Sequence, residues 1–493
     1  MLRGLPQSES FGEKSSWMNL AQILVVGFCV SFVLSTCWAE PSSPNLHPRD
    51  SLSSPDSCSA KGAQREEDKE ATKKASSTKK SKRKLTKREL RKLRKNRREY
   101  SFLPATDYST DKGLGLGVVG MIAQFREGFY PYQWRIFFIG RATLAIDSEG
   151  AFGAPFHEYK FKFDLPGLMD QKLRLKGEIG FYRFITTGYF GLGNNTNFDP
   201  SQTSKYYQYD RIYPKASLDA QVFLWRKGTQ SISLFFGALF HYNIINIFPG
   251  SQLDKDLFRA RNQKDKVGAY VNTTLRGLAP HALLKLKAGV LIDTRDHEFD
   301  PSRGMFHEIS VRGSPGIGTS LYFLGFHANT KFYIPIYKRY LQLAIRLVGD
   351  VLVGNVPLYE LSLYGAFEEE GGPGGGDSVR GLPSQRLHGK AKVIGNVEIR
   401  SMFLPFGFFN QRFLLGLTAF LDMGRVWLDY NFPSEEVRNA LDGADFRLHM
   451  GVGGGIRVRW GETFLIRFDL AYTPTDPPGR PPFRFYFTLG HLF

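Results

Sequence analysis

From about Tyr100 to the C-terminus, apolar residues recur at every second position, and the positions between them carry full charges. The pattern is cleanest near the end. Phe446, Leu448, Met450, Val452, Ile456, Val458 and Trp460 share one parity, while Arg447, His449, Gly451, Gly453, Gly455, Arg457 and Arg459 share the other. Phe464, Ile466, Phe468, Leu470 and Tyr472 then alternate with Arg467 and Asp469, and Phe483, Phe485, Phe487 and Leu489 with Arg484, Tyr486, Thr488 and Gly490. Strict alternation over about ten residues is the signature of a half-buried β-strand. A polar face bearing this many charges must be wet, which admits either a soluble sandwich or a barrel with a polar interior.

Connection lengths separate the two. Sixteen strands can be read, from 101–109 to 483–493, with 205–225 as one strand and 357–365 as part of a loop. Long connections, at 188–204, 246–279, 354–387 and 425–445, all join odd to even strands. Several even-to-odd connections are tight, such as Lys227-Gly228-Thr229. A single-chain membrane barrel has an even strand count, short turns at one end and long loops at the other. The 51 Gly, 42 Phe and 22 Tyr, without repeated long apolar runs, agree. The expected fold is therefore all-β, a 16-stranded antiparallel transmembrane β-barrel over residues 100–493, in the outer membrane of a Gram-negative cell. The final aromatic, Phe493, fits an assembly signal on the closing strand, although His491 stands where a second apolar residue is usual.

The N-terminal part reads differently. Leu20 to Leu34 is the one long apolar stretch, preceded by Arg3 and Lys14 and followed by Ser35-Thr36-Cys37-Trp38-Ala39. This is the layout of a signal peptide over residues 1–39, cut after Ala39. An uncleaved anchor and lipoprotein processing at Cys37 remain open alternatives. Residues 40–99 are Ser/Pro-rich and then Lys/Arg-rich, and are expected to be a disordered periplasmic segment. Between Lys61 and Arg98 stand 18 Lys/Arg against 5 Asp/Glu, so this stretch supplies +13 of the net +18. The basic balance thus describes a tail, and nucleic-acid binding does not follow from it. The tail is a solvated linker or a contact for anionic headgroups or peptidoglycan.

Three local patterns narrow the family. The first is Asp293-Thr294-Arg295-Asp296 with Pro301 and Gly304. The second is the Gly-rich run 371–376 leading into Val379-Arg380-Gly381. The third is Phe420, Asp422 and Gly424. In this order and spacing they resemble the C-terminal barrel of the BamA/TamA superfamily, the bacterial surface antigens. The resemblance covers about residues 100–493. It implies that the loop carrying Val379, Arg380 and Gly381 folds back into the lumen, where Arg380 meets acidic wall residues. Parity supports Asp422 and Glu398 for that role, since both fall on the polar face of their strands. An arginine fork suits the task because it can engage two carboxylates and does not deprotonate. The chain departs from the family twice. Leu382 replaces an aromatic, and residues 40–99 are too short and polar to fold the polypeptide-transport-associated domains that usually precede the barrel.

The resemblance implies an assembly or translocation factor that aids passage of proteins or lipid through the wall seam. Its partners would be outer-membrane lipid and unfolded outer-membrane client proteins. The alternative is a passive pore or a surface-exposed antigen or adhesin with the same fold. The Gly371–Gly376 run lacks the Lys-Ser/Thr of a phosphate loop. His157-Glu158, His297-Glu298 and His307-Glu308 lack a second His at helical spacing, as a zinc protease needs. No catalytic set, metal site or cofactor is expected, and the chain does not read as an enzyme.

Overall fold

The computed structural model describes residues 96–493, apart from 110–112, 147–151, 154–155, 263–264, 299, 339, 409–410, 461–463, 478–481 and 490. The export signal, its cleavage alternatives and the basic segment up to residue 95 lie outside the described residues.

Among the described residues, sixteen main strands form the wall: β1 (Arg97–Ser109), β2 (Gly113–Phe125), β3 (Trp134–Ile146), β4 (Phe156–Leu168), β5 (Leu173–Gly188), β6 (Lys215–Lys227), β7 (Gln230–Asn246) and β8 (His281–Asp293), then β9 (Gly304–Pro315), β10 (Tyr322–Tyr337), β11 (Leu341–Gly354), β12 (Ala391–Phe408), β13 (Gln411–Trp427), β14 (His449–Trp460), β15 (Phe464–Tyr472) and β16 (Arg484–Leu489). Neighbours pair antiparallel in chain order, and β1 meets β16 to close the sheet into a barrel. β1 begins at Arg97, so the last two arginines of the basic run already belong to the wall.

Alternation sets the two faces. Ile179, Leu218, Phe236, Ile309, Phe326 and Leu347 are exposed on the outer face, where hydrocarbon would cover them. Glu308, Arg312, Arg346, Asp350, Lys392 and Glu398 alternate with such residues and point inward. The inner face is only partly wet, where the charge pattern predicts water throughout: the Lys162 side chain on β4 stays 43% exposed, while most inward charges from β9 to β15 are buried. Arg346, Arg380, Arg386, Asp422, Glu398 and Arg457 are all fully buried. The reason is the loop between β11 and β12, which packs inside the barrel against these strands and pairs with their charges.

Two strand expectations need correction. The stretch 205–225 is not one strand. It comprises a 3-10 turn (Ser204–Tyr207), a short strand (Gln208–Ile212) and then β6. Pro214 separates the last two because it has no N–H to donate to the ladder. The closing strand is also shorter than 483–493, ending at Leu489.

The long connections gather at one end and pack on each other. They include α1 (Gln252–Asn262), α2 (Lys266–Thr274) and α3 (Glu435–Asp442). Asp265 and Ser434 cap the starts of α2 and α3 by accepting from Gly268 N (2.6 Å) and Val437 N (3.4 Å). Leu253, Val271, Val437 and Leu441 from these helices share a buried cluster with Tyr189, Leu192, Leu358 and Tyr359 from the neighbouring loops. Asp442 binds the ends of this dome, accepting from Leu428 N at 2.9 Å and Asn194 N at 3.4 Å.

Candidate functional site

The interior is organised around Arg380. Its Nε and Nη2 reach the two oxygens of Asp422 at 2.7 and 2.9 Å, a bidentate fork. Its Nη1 lies 2.7 Å from Glu398 Oε1 and 3.0 Å from Asp469 Oδ2. The guanidinium carbon sits 3.4 Å from the centroid of the Phe420 ring. The structure thus brings together Arg380, Asp422, Glu398 and Phe420, all named from sequence. It adds Asp469, which sequence reasoning did not single out, although parity had already placed it on the charged face. Each carboxylate has a further partner. Asn396 Nδ2 donates to Asp422 at 2.8 Å, Arg400 pairs with Glu398 at 2.6 Å, and Arg457 with Asp469 at 2.6 Å.

Local backbone makes the fit possible. Gly381 adopts φ +95°, a left-handed geometry that favours glycine, and its N–H donates to the Tyr486 hydroxyl at 3.2 Å. Val379 and Leu382 are fully buried with Val348, Tyr364 and Ile394. Leu382, the departure from the family pattern, therefore fills an apolar pocket. Gly424 faces the loop, where any β-carbon would lie 3.0 Å from the Val379 side chain.

The other half of the same loop carries a feature that sequence reasoning missed. Glu368, Glu369 and Glu370 are consecutive, and each reaches a different wall strand. Glu368 lies 3.9 Å from Lys176 of β5, Glu369 pairs with Lys285 of β8, and Glu370 meets Arg346 of β11 at 2.8 Å. Lys285 also holds the buried Glu360 at 2.6 Å. Three successive acids in a Gly-rich loop, opposite lysines of inward parity, were the available signal. The loop thus spans the barrel, with Arg380 on β12, β13 and β15 and the acids on β5, β8 and β11.

The turn between β8 and β9 holds Asp293, Arg295, Asp296, Pro301 and Gly304. Arg295 pairs with Asp293 at 2.7 Å and donates to Glu298 O at 3.1 Å. Asp296 accepts from Ser302 N at 2.9 Å and Arg303 N at 3.2 Å, closing the turn around Pro301. Glu298 then reaches Arg174 at 3.0 Å, and Asp300 reaches Arg459 at 2.7 Å. The turn and the Arg380 site are separate clusters. Phe493 lies inside the barrel against Tyr333 and Ala344, joined to the Arg380 site through Arg400, which holds both Glu398 and the Phe493 carbonyl.

The seam between β1 and β16 closes the wall. β1 and β16 face each other only at Tyr108–Phe487 and Ser109–Tyr486 among the described residues. By contrast, every residue of β8 from His281 to Asp293 faces one of β7.

No curated protein gives a significant sequence match to the chain. Among solved structures, CdiB from Escherichia coli is similar at 12% identity and a TM-score of 0.50, over 79% of this chain and 62% of that one. BamA from Haemophilus ducreyi lacking POTRA domains 1-3 is similar at 14% identity and a TM-score of 0.47, over 80% and 70%. The first likeness is one of fold. The family description "Omp85 superfamily domain" matches residues 151–493, and on that match the chain belongs to the Omp85 superfamily.

Proposed function

We propose that this barrel aids insertion or passage of unfolded outer-membrane proteins at the seam between β1 and β16. The superfamily gives the coarser frame: an outer-membrane insertion or secretion barrel, and not an enzyme. The observation that carries the finer reading is that, among the described residues, β1 and β16 face each other at two residue pairs. Backbone groups facing hydrocarbon cannot stay unpaired cheaply. From Phe102 to Asp107, β1 faces no described residue of β16, which leaves that stretch of edge open to another strand. The filled interior speaks against the passive-pore reading, because Arg380 and its three carboxylates occupy the lumen. In this reading the Arg380 network is a lumen lock that keeps the loop seated while the seam works.

The test is a reversible closure. Tyr108→Cys with Phe487→Cys, in a background with Cys29, Cys37 and Cys58 changed to Ser, would bridge the seam when oxidised. The purified barrel in vesicles should speed insertion of a second, unfolded barrel. Oxidation should abolish the acceleration and reduction should restore it. A folded barrel that gives no acceleration in either state would sink the proposal and leave a surface antigen as the reading.

A further inference from the structure

The C-terminal tail does not continue the wall. After β16, Leu492 and Phe493 turn inward and are buried on Tyr333 and Ala344. The Phe493 ring lies 4.7 Å from the Arg400 guanidinium carbon, and Arg400 Nη2 donates to Phe493 O at 3.0 Å. His491 turns the same way, with Nε2 3.0 Å from Asp300 Oδ1. Asp300 stands in the β8–β9 turn, which Glu298 anchors across the barrel on Arg174.

The same tail has a second place to go. The register that pairs Tyr108 with Phe487 and Ser109 with Tyr486, continued to the C-terminus, sets Phe493 opposite Phe102. Phe102 is 71% exposed on the outer face, the face Phe493 would share with Phe485 in an extended strand. A cross-strand aromatic pair stabilises such an arrangement. His491 would then face hydrocarbon, opposite Pro104, without its carboxylate. The two arrangements therefore differ in what they offer His491: an acceptor inside, none outside. A contact made in only one of two states shifts the balance between them.

We propose that Asp300 is a positioning residue of the seam. Through His491 it holds the tail inside the barrel, keeps β16 short, and leaves the β1 edge from Phe102 to Asp107 facing no described residue of β16. This deepens the seam reading above and rests on it for why the state of the edge matters.

Hydrogen exchange on the full chain in vesicles tests it. Asp300→Ala and, independently, His491→Ala should free the tail to zip along β1, slowing exchange of the 102–107 amides roughly tenfold, the scale of a lost charge-assisted hydrogen bond. Asp300→Glu should keep the fast exchange. A merely structural role for Asp300 would loosen its surroundings and speed exchange instead. A Phe102→Cys, Phe493→Cys pair in the same background, with Cys29, Cys37 and Cys58 changed to Ser, should form its disulfide faster with Asp300→Ala than with Asp300. Unchanged or faster exchange in folded Asp300→Ala and His491→Ala protein overturns the proposal, as does a disulfide rate indifferent to Asp300. Strand pairing is read without any client, so this inference and the insertion reading can fail separately.

Discussion

The backbone carbonyl of Arg380 lies against Gly451, in the space a β-carbon on that residue would fill. The glycine on β14 is therefore the floor on which the arginine loop rests. Gly451→Ala should lift the loop from the wall and disturb the fork on Asp422. Overpacking of this kind costs about 1–3 kcal/mol. Protease cutting within 365–385 should rise while heat-modifiable gel mobility persists. Unchanged cutting would show that the loop tolerates displacement.

Arg380→Ala would leave Asp422, Glu398 and Asp469 facing one another in a buried site. Removing one member of a buried ionic set costs about 3–5 kcal/mol. Thermal unfolding of the barrel should fall accordingly. Arg380→Lys should recover only part of the loss, because a point charge cannot fork across both Asp422 oxygens. Full recovery by lysine would mean that charge alone, not the planar fork, holds the loop.

On the opposite wall, Lys285→Ala strands the buried Glu360 and frees Glu369. Glu360 retains Arg312 at 3.9 Å, so the cost should be smaller than for Arg380→Ala. Protease access should increase near Glu368–Glu370 before it increases near Arg380. Simultaneous opening at both places would show that the loop moves as one rigid piece.

The dome should respond to acid through Asp442. Burial pushes its carboxyl up to about 6 from 3.8, against the N–H groups of Leu428 and Asn194, which act the other way. A value raised on folding contributes stability that is complete below about pH 4 and lost as pH rises through about 6. That loss is about 3 kcal/mol. The 428–448 loop should thus resist protease better at pH 4 than at pH 7.5. Asp442→Asn should remove the step, and a step that survives the substitution assigns it to another group.

Much of the wall could be read directly because a strand repeats every two residues. Phe468 and Asp469 declare their faces by position alone. The breaks were harder. Pro214 was visible, yet the short strand before it continues the alternation and hid the interruption. The lumen misled more, because charge on a strand face signals water only if nothing else fills the space. Arg346, Asp350 and Lys392 are dry because the loop that joins their own strands folds back over them. Arg380, Asp422 and Glu398 could be paired in advance because motif and parity agreed. Glu368–Glu370 carried no motif, and their wall partners come from three strands whose spacing around the barrel no sequence pattern states. His491 read as a flaw in an apolar ending, and its partner Asp300 lies 191 residues away.

The loop between β11 and β12 also constrains the order of assembly. Its charges bind wall strands on both sides of the barrel, from β5 to β15. A ring already closed beneath a packed dome offers this loop no way in with its carboxylates and arginine unpaired. Seating the loop while the sheet is still an open ribbon avoids that obstacle, so it is expected to precede closure. The ribbon then curls around it as a cast sets around a form. The last join is then the seam, where Tyr108 faces Phe487 and Ser109 faces Tyr486.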